Sequence, residues 1–223
     1  MRALIFDLDG VLVSTDAFHY QAWKQLTDRL KIEFDETVNN RLRGISRMES
    51  LEIILEQYHG APFSYTEKCM LADEKNGIYR KLLETMRPED VSEEVRETLR
   101  ELRRRGMKLA VGSSSRNTRF ILKQTGLEEM FDAVSDGTNI SRSKPDPEVF
   151  IKAAFFLDED PKECMVVEDA RAGIDAAKSG GMKTAGLGEA AVYERTDYPL
   201  ESFSDLLKIR LFIDHDFTIQ MGM

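Results

Sequence analysis

The chain has 223 residues, 42% of them hydrophobic, with 31 basic against 40 acidic side chains and a net charge of −9. That is apolar material for one generous domain or a main domain with an insert. The acidic balance argues against nucleic acid or an anionic membrane as the main partner, while leaving room for a small anionic substrate. No apolar run approaches the roughly 20 residues of a membrane span, and acids break "MRALIFDLDG" before it could act as a secretory leader. Cys69 and Cys164 stand far apart in no paired motif, so reduced thiols in a cytoplasmic protein are expected.

The first apolar run, Ala3 to Phe6, reads as a buried strand and leads straight into Asp7, Asp9 and Gly10. From about Asp16 to Met86 no strand is legible. Trp23, Leu26 and Leu30 form one helical stripe, Leu51, Ile54, Leu55 and Tyr58 a second, and Tyr79, Leu82 and Leu83 a third. Roughly 70 residues of helix are too many for a crossover connection, so residues 16–86 are expected to form an inserted helical cap domain. Residues 1–15 and 87–223 would then form the core. There Val91–Arg105 carries Val95, Leu99 and Leu102 at helical spacing, with Gly106 as its stop. Further strands are expected at Leu109–Val111, Phe131–Val134, Met165–Val167 and Thr184–Leu187. A helix over 148–157 should start at Asp146-Pro147, and another over 170–179 should close on Gly180-Gly181. Strands alternating with helices predict an α/β fold, a doubly wound, Rossmann-like parallel sheet.

Four strand-end segments carry the chemistry. Side chains two apart share a face of a strand, so Asp7 and Asp9 should converge where open α/β sheets bind ligands, provided the strand geometry persists through them, and a carboxylate pair there suits a hard divalent cation such as Mg2+. "CMVVEDARAG" repeats the pattern with Glu168 and Asp169, although Asp169 also reads as the N-cap of the next helix. "VGSSSRN" puts Ser113, Ser114, Ser115, Arg116 and Asn117 at a helix start, where hydroxyls and free amides suit phosphate oxygens. "SRSKPDPEVF" supplies Lys144, able to neutralise metal-bound acids and phosphate.

In that order, "DLDG", Ser113, "SKPDP" and "EDARAG" resemble the four motifs of the haloacid dehalogenase superfamily of phosphotransferases. The resemblance spans essentially the whole chain, with the helical insert in the place of the family's cap. It implies that Asp7 is the nucleophile that forms an aspartyl phosphate and that Asp9 is the general acid/base. It further implies Mg2+ held by the Asp7 carboxylate, the Asp9 carbonyl and Asp169, with Glu168 close by. Ser113 and Lys144 would hold the transferring phosphoryl oxygens.

Within the cap, His19 and Trp23 lie one helical turn apart, Gly44, Ile45, Ser46 and Arg47 form a turn before a helix, and Lys75 stands beside Asn76. These are similar to the family's sugar phosphomutases. That similarity implies Arg47 on the substrate's distal phosphate and His19 and Lys75 at the cap–core interface, with Trp23, Gly44 and Ile45 as further substrate contacts. By its own pattern Lys75 reads as a solvated charge, and Trp23 as cap core. Ser14-Thr15-Asp16, Arg43 and the C-terminal "DHDFTIQMGM" depart from the family pattern. The expected activity is a Mg2+-dependent interconversion of sugar 1-phosphate and 6-phosphate by a monomer. The alternatives are a phosphatase of small sugar phosphates and a non-enzymatic phospho-acceptor module, whose acceptor would follow a later strand.

Overall fold

β1 (Ala3–Phe6) is buried at all four positions, and its alternation feeds two cores. Leu4 and Phe6 point into one apolar cluster, Ala3 and Ile5 into the other. The computed structural model describes residues 1–42 and 45–210. Arg43, Gly44 and the C-terminal segment from 211 therefore lie outside the described residues.

After β1 the chain runs through α1 (Asp16–Leu30), α2 (Glu36–Asn40), α3 (Arg47–Leu55) and α4 (Tyr65–Leu83) before the sheet resumes. Then follow α5 (Glu93–Arg104), β2 (Lys108–Gly112), α6 (Thr118–Gln124), β3 (Ala133–Ser135) and α7 (Glu148–Phe156). The chain continues with β4 (Cys164–Glu168), α8 (Arg171–Ser179), β5 (Lys183–Gly186), α9 (Gly188–Ala191) and β6 (Tyr198–Pro199). The six strands pair in the order β3-β2-β1-β4-β5-β6, all parallel. This is the doubly wound α/β sheet expected from the sequence, and the strand order reverses between β1 and β4. Leu99, Leu102, Ile121 and Leu122 cover one face, Phe150, Ala153 and Ala177 the other.

The local chemistry explains the element ends. Gly106, at φ +79°, lets the chain leave α5. Ser46 and Ser64 open α3 and α4 with reciprocal bonds to Glu49 and Glu67. Asp146 does cap α7, accepting from the Glu148 N–H at 3.0 Å, one position before the formal N-cap Pro147. β3 begins two residues later than Phe131, because Phe131 closes a short 3-10 turn. β6 was not expected: two residues with one proline carry no apolar run.

The helices between β1 and β2 have their own core of Trp23, Leu26, Phe34, Leu51, Ile54 and Leu71. Ala22, Tyr79 and Leu83 instead join the sheet-side cluster with Val11, Leu12 and Val13. Among the described residues no helix is long and apolar enough to cross a membrane.

Candidate active site

The carboxyl end of β1 is shaped by backbone bonds before any side chain acts. The Asp7 N–H donates to the Val167 carbonyl at 2.9 Å, extending the β1–β4 ladder by one residue. The chain then turns, with Leu12 and Val13 N–H groups returning to the Leu8 carbonyl and Gly10 at φ +79°. The strand geometry on which convergence of Asp7 and Asp9 is conditional therefore does not persist through them, although the Asp9 charge still acts on Asp7. Strand geometry ends at Phe6, and the two carboxyls take different partners: Asp7 receives Lys144, whereas Asp9 receives the Thr15 hydroxyl.

At the end of β4, Glu168 is 1% exposed. Its Oε2 accepts from the Asp169 and Ala170 N–H groups, each at 2.9 Å, and its Oε1 accepts from Lys144 at 2.5 Å. Asp169 is not the helix cap that local sequence suggested. Ala170 takes the N-cap position without a side-chain bond, and the Asp169 carboxyl packs against Gly10, where a Cβ would lie 2.6 Å from its Cγ. Asp169 is therefore available to a ligand. Asp7, Glu168 and Asp169 each offer an oxygen within 4.8 Å of the others.

Burial drives Asp7 well above the usual carboxylate range; Lys144 opposes this, while Glu168 and Asp9 add to it. Burial and the Glu168 charge push Asp169 up to about 7. Burial also works against the Lys144 ammonium, but Asp7 and Glu168 outweigh it and hold the lysine above its ordinary range. One lysine thus faces an excess of buried acid. An all-oxygen donor set with surplus negative charge fits a hard divalent cation of the Mg2+ kind. The Asp9 carboxyl is not one of the three clustered groups.

β2 ends at Gly112 in a hydroxyl-rich turn. Ser113, 2% exposed, accepts from the Ser115 N–H at 3.2 Å, and Ser115 in turn accepts from the Asn117 N–H at 3.2 Å. The buried Ser114 Oγ has no hydrogen-bond partner among the described residues. Arg116 is exposed, and α6 starts after it at Thr118 with Asn117 as N-cap.

Asn76 links the helical insert to this turn. Asn76 Oδ1 accepts from Arg47 Nη2 at 2.9 Å and from Asn117 Nδ2 at 3.0 Å, tying α3 and α4 to the start of α6. Arg47, the first residue of α3, also lies 3.8 Å from Asp73. Burial lowers its proton affinity, Asp73 opposes, and nearby Arg116 adds to the lowering. Ile45 is half-buried in the turn before Ser46; Gly44 lies outside the described residues.

His19 and Lys75 come together, with Nδ1 and Nζ 2.8 Å apart. Lys75 is not the solvated charge its pattern implies. It is 2% exposed, with its ammonium 4.8 Å from the Trp23 ring and 4.6 Å from the Tyr79 ring. Burial and the Arg47 charge lower it to about 7, and burial, Lys75 and Arg47 hold His19 well below the usual histidine range. Trp23, a substrate contact by the resemblance and cap core by its own pattern, is 2% exposed within the insert's core, where its ring lies against Lys75. Sequence reasoning missed Asn76 as a bridge and Tyr79 as a site neighbour. The i,i+4 spacing of Lys75 and Tyr79 was the one available signal.

The family model of haloacid dehalogenase-like hydrolases matches residues 1–181. A β-phosphoglucomutase of Bacillus subtilis (strain 168) is 41% identical over 208 residues, 92% of each chain. A phosphorylated carbohydrates phosphatase of Thermotoga maritima is 29% identical over 185 residues, 82% of this chain and 83% of its own. The crystal structure of a β-phosphoglucomutase from Clostridium difficile aligns with a TM-score of 0.86 at 34% identity, covering 95% of this chain and 96% of that one.

Proposed function

The chain belongs to the haloacid dehalogenase-like hydrolase family, and from that premise we propose that it is a Mg2+-dependent β-phosphoglucomutase. It interconverts β-D-glucose 1-phosphate and glucose 6-phosphate through an aspartyl-phosphate enzyme and β-glucose 1,6-bisphosphate.

Asp7 is the phosphoryl acceptor. One of its oxygens bonds phosphorus as the bond from phosphorus to the departing sugar oxygen breaks, and Asp9 delivers the proton that oxygen takes up. In the reverse sense Asp9 removes the proton of the attacking sugar hydroxyl, which takes the phosphoryl group from Asp7. Lys144 and Ser113 face the oxygens where charge gathers. Asp7, Asp169 and the Asp9 carbonyl would hold Mg2+, with Glu168 adjacent, and the ion when bound offsets the acid and phosphate charge. Residues 16–86 act as the cap, which must exclude water while Asp7 is phosphorylated.

The observation that carries a mutase over a phosphatase is the second cationic place. Arg47, held by Asn76 against Asn117 and near Arg116, is suited to a phosphate other than the one transferred by Asp7. A bisphosphate intermediate needs two such places; hydrolysis of a monophosphate needs one. The alternative, a sugar phosphatase using water as acceptor, draws support from the Thermotoga maritima relative. Incubation with β-glucose 1-phosphate, Mg2+ and a trace of the 1,6-bisphosphate separates them. Glucose 6-phosphate is expected; inorganic phosphate without it would overturn the mutase assignment.

A further inference from the structure

Gly173 is the third residue of α8, buried, and in a helical conformation that any residue can adopt. Glycine weakens a helix relative to alanine, so something must favour its presence there. A Cβ at this position would overlap the carboxyl carbon and Oε1 of Glu168 and lie 2.5 Å from its Cγ. The side chain that occupies this space cannot swing aside freely. Its Oε1 accepts from Lys144, and its Oε2 accepts from the Asp169 and Ala170 N–H groups.

We infer that Gly173 is a positioning residue, a notch in α8 that houses the Glu168 carboxyl and thereby sets both Lys144 and the turn that presents Asp169. The path is short and continuous. Pushing Glu168 out releases Lys144, which also pairs with Asp7. It also frees the two N–H groups that hold the chain between β4 and α8 in the shape that brings Asp169 within reach of Asp7. Groups that orient a ligating side chain without touching the ion affect metal binding strongly. The competing explanation is that Gly173 merely lets α8 approach the sheet. In that case the length of the side chain at position 168 is irrelevant to the effect of a substitution.

The inference rests on the acid cluster as a Mg2+ site, and a double-mutant cycle tests it. Gly173→Ala, Glu168→Ala and the double variant are compared with the parent protein by calorimetric titration with Mg2+ and by thermal melting in metal-free buffer. Gly173→Ala is expected to weaken Mg2+ binding about 10–100-fold in the parent background. In the Glu168→Ala background, where all three overlapping atoms are gone, the same change should cost only a small fraction of that. Equal losses in both backgrounds, or Mg2+ binding unchanged by Gly173→Ala, would overturn the inference. If Gly173→Ala alone does not fold, folding of the double variant supports the notch and its failure overturns it. Should the parent protein bind no Mg2+, the metal site fails, and the same cycle read by melting temperature still decides the notch: recovery in the Glu168→Ala background supports it, additive losses overturn it.

Discussion

Single residues in this site are defined by what burial does to their charges. Asp9, half-buried and bonded to Thr15, is held above the ordinary carboxylate range by desolvation, which the Thr15 hydroxyl opposes. Asp9→Asn should slow phosphoryl transfer about 10²–10⁴-fold while Mg2+ still binds; calorimetry beside turnover checks this, and equal loss of both would sink the acid/base role. Lys75 carries the opposite problem, a cation in an aromatic enclosure lowered to about 7. Its ordinary value is 10.5, so between those values the unfolded chain binds a proton that the folded chain does not. Stability should therefore rise with pH across that window. Lys75→Met should flatten the slope, as read by denaturant titration at several pH values. Asp169, raised to about 7, must lose its proton to ligate. Mg2+ affinity is accordingly expected to strengthen as pH rises through that value.

Helix ends decide where the second cationic place sits. Ser46 caps α3 and Arg47 is the very next residue, so the capping box aims the guanidinium as well as ending the helix. Ser46→Ala should cost about 1 kcal/mol of stability and also raise KM for β-glucose 1-phosphate. Ser64→Ala, which removes the same kind of cap from α4 away from Arg47, should lower the melting temperature with KM unchanged. The elements themselves were largely legible. Ala3–Phe6 and the stripe of Val95, Leu99 and Leu102 announce themselves because burial imposes its period on the sequence. What failed were local rules overruled from a distance. Asp169 has the residue type and position of an N-cap, but Gly10, far back in the chain, leaves the space into which its carboxyl turns. Asp7 and Asp9 obey strand alternation only while there is a strand, and the return of Leu12 and Val13 to Leu8 ends it. The burial of Lys75 depends on His19, 56 positions earlier, and on the Trp23 ring, which no window of sequence places over it.

At the scale of the whole molecule the site is a junction between the helical insert and the sheet, and Asn76 is its narrowest link. Asn76→Ala removes the acceptor shared by Arg47 and Asn117. We expect glucose 6-phosphate formation to fall and the fraction of phosphate released to water to rise, measured as the ratio of the two products. An unchanged ratio would show that the bridge plays no part in excluding water. The seam on the other side of the insert is apolar, because Ala22 from α1 and Tyr79 and Leu83 from α4 are buried with Val11, Leu12 and Val13 in the sheet-side cluster. For anyone wishing to exchange specificity between relatives, this seam sets where the chain can be cut. A graft of the complete insert would carry half of that apolar joint away and replace it with a stranger's. A splice made inside α1 after Ala22 and inside α4 before Tyr79 leaves those buried residues native and transplants the outer helices together with Trp23, Arg47, Lys75 and Asn76.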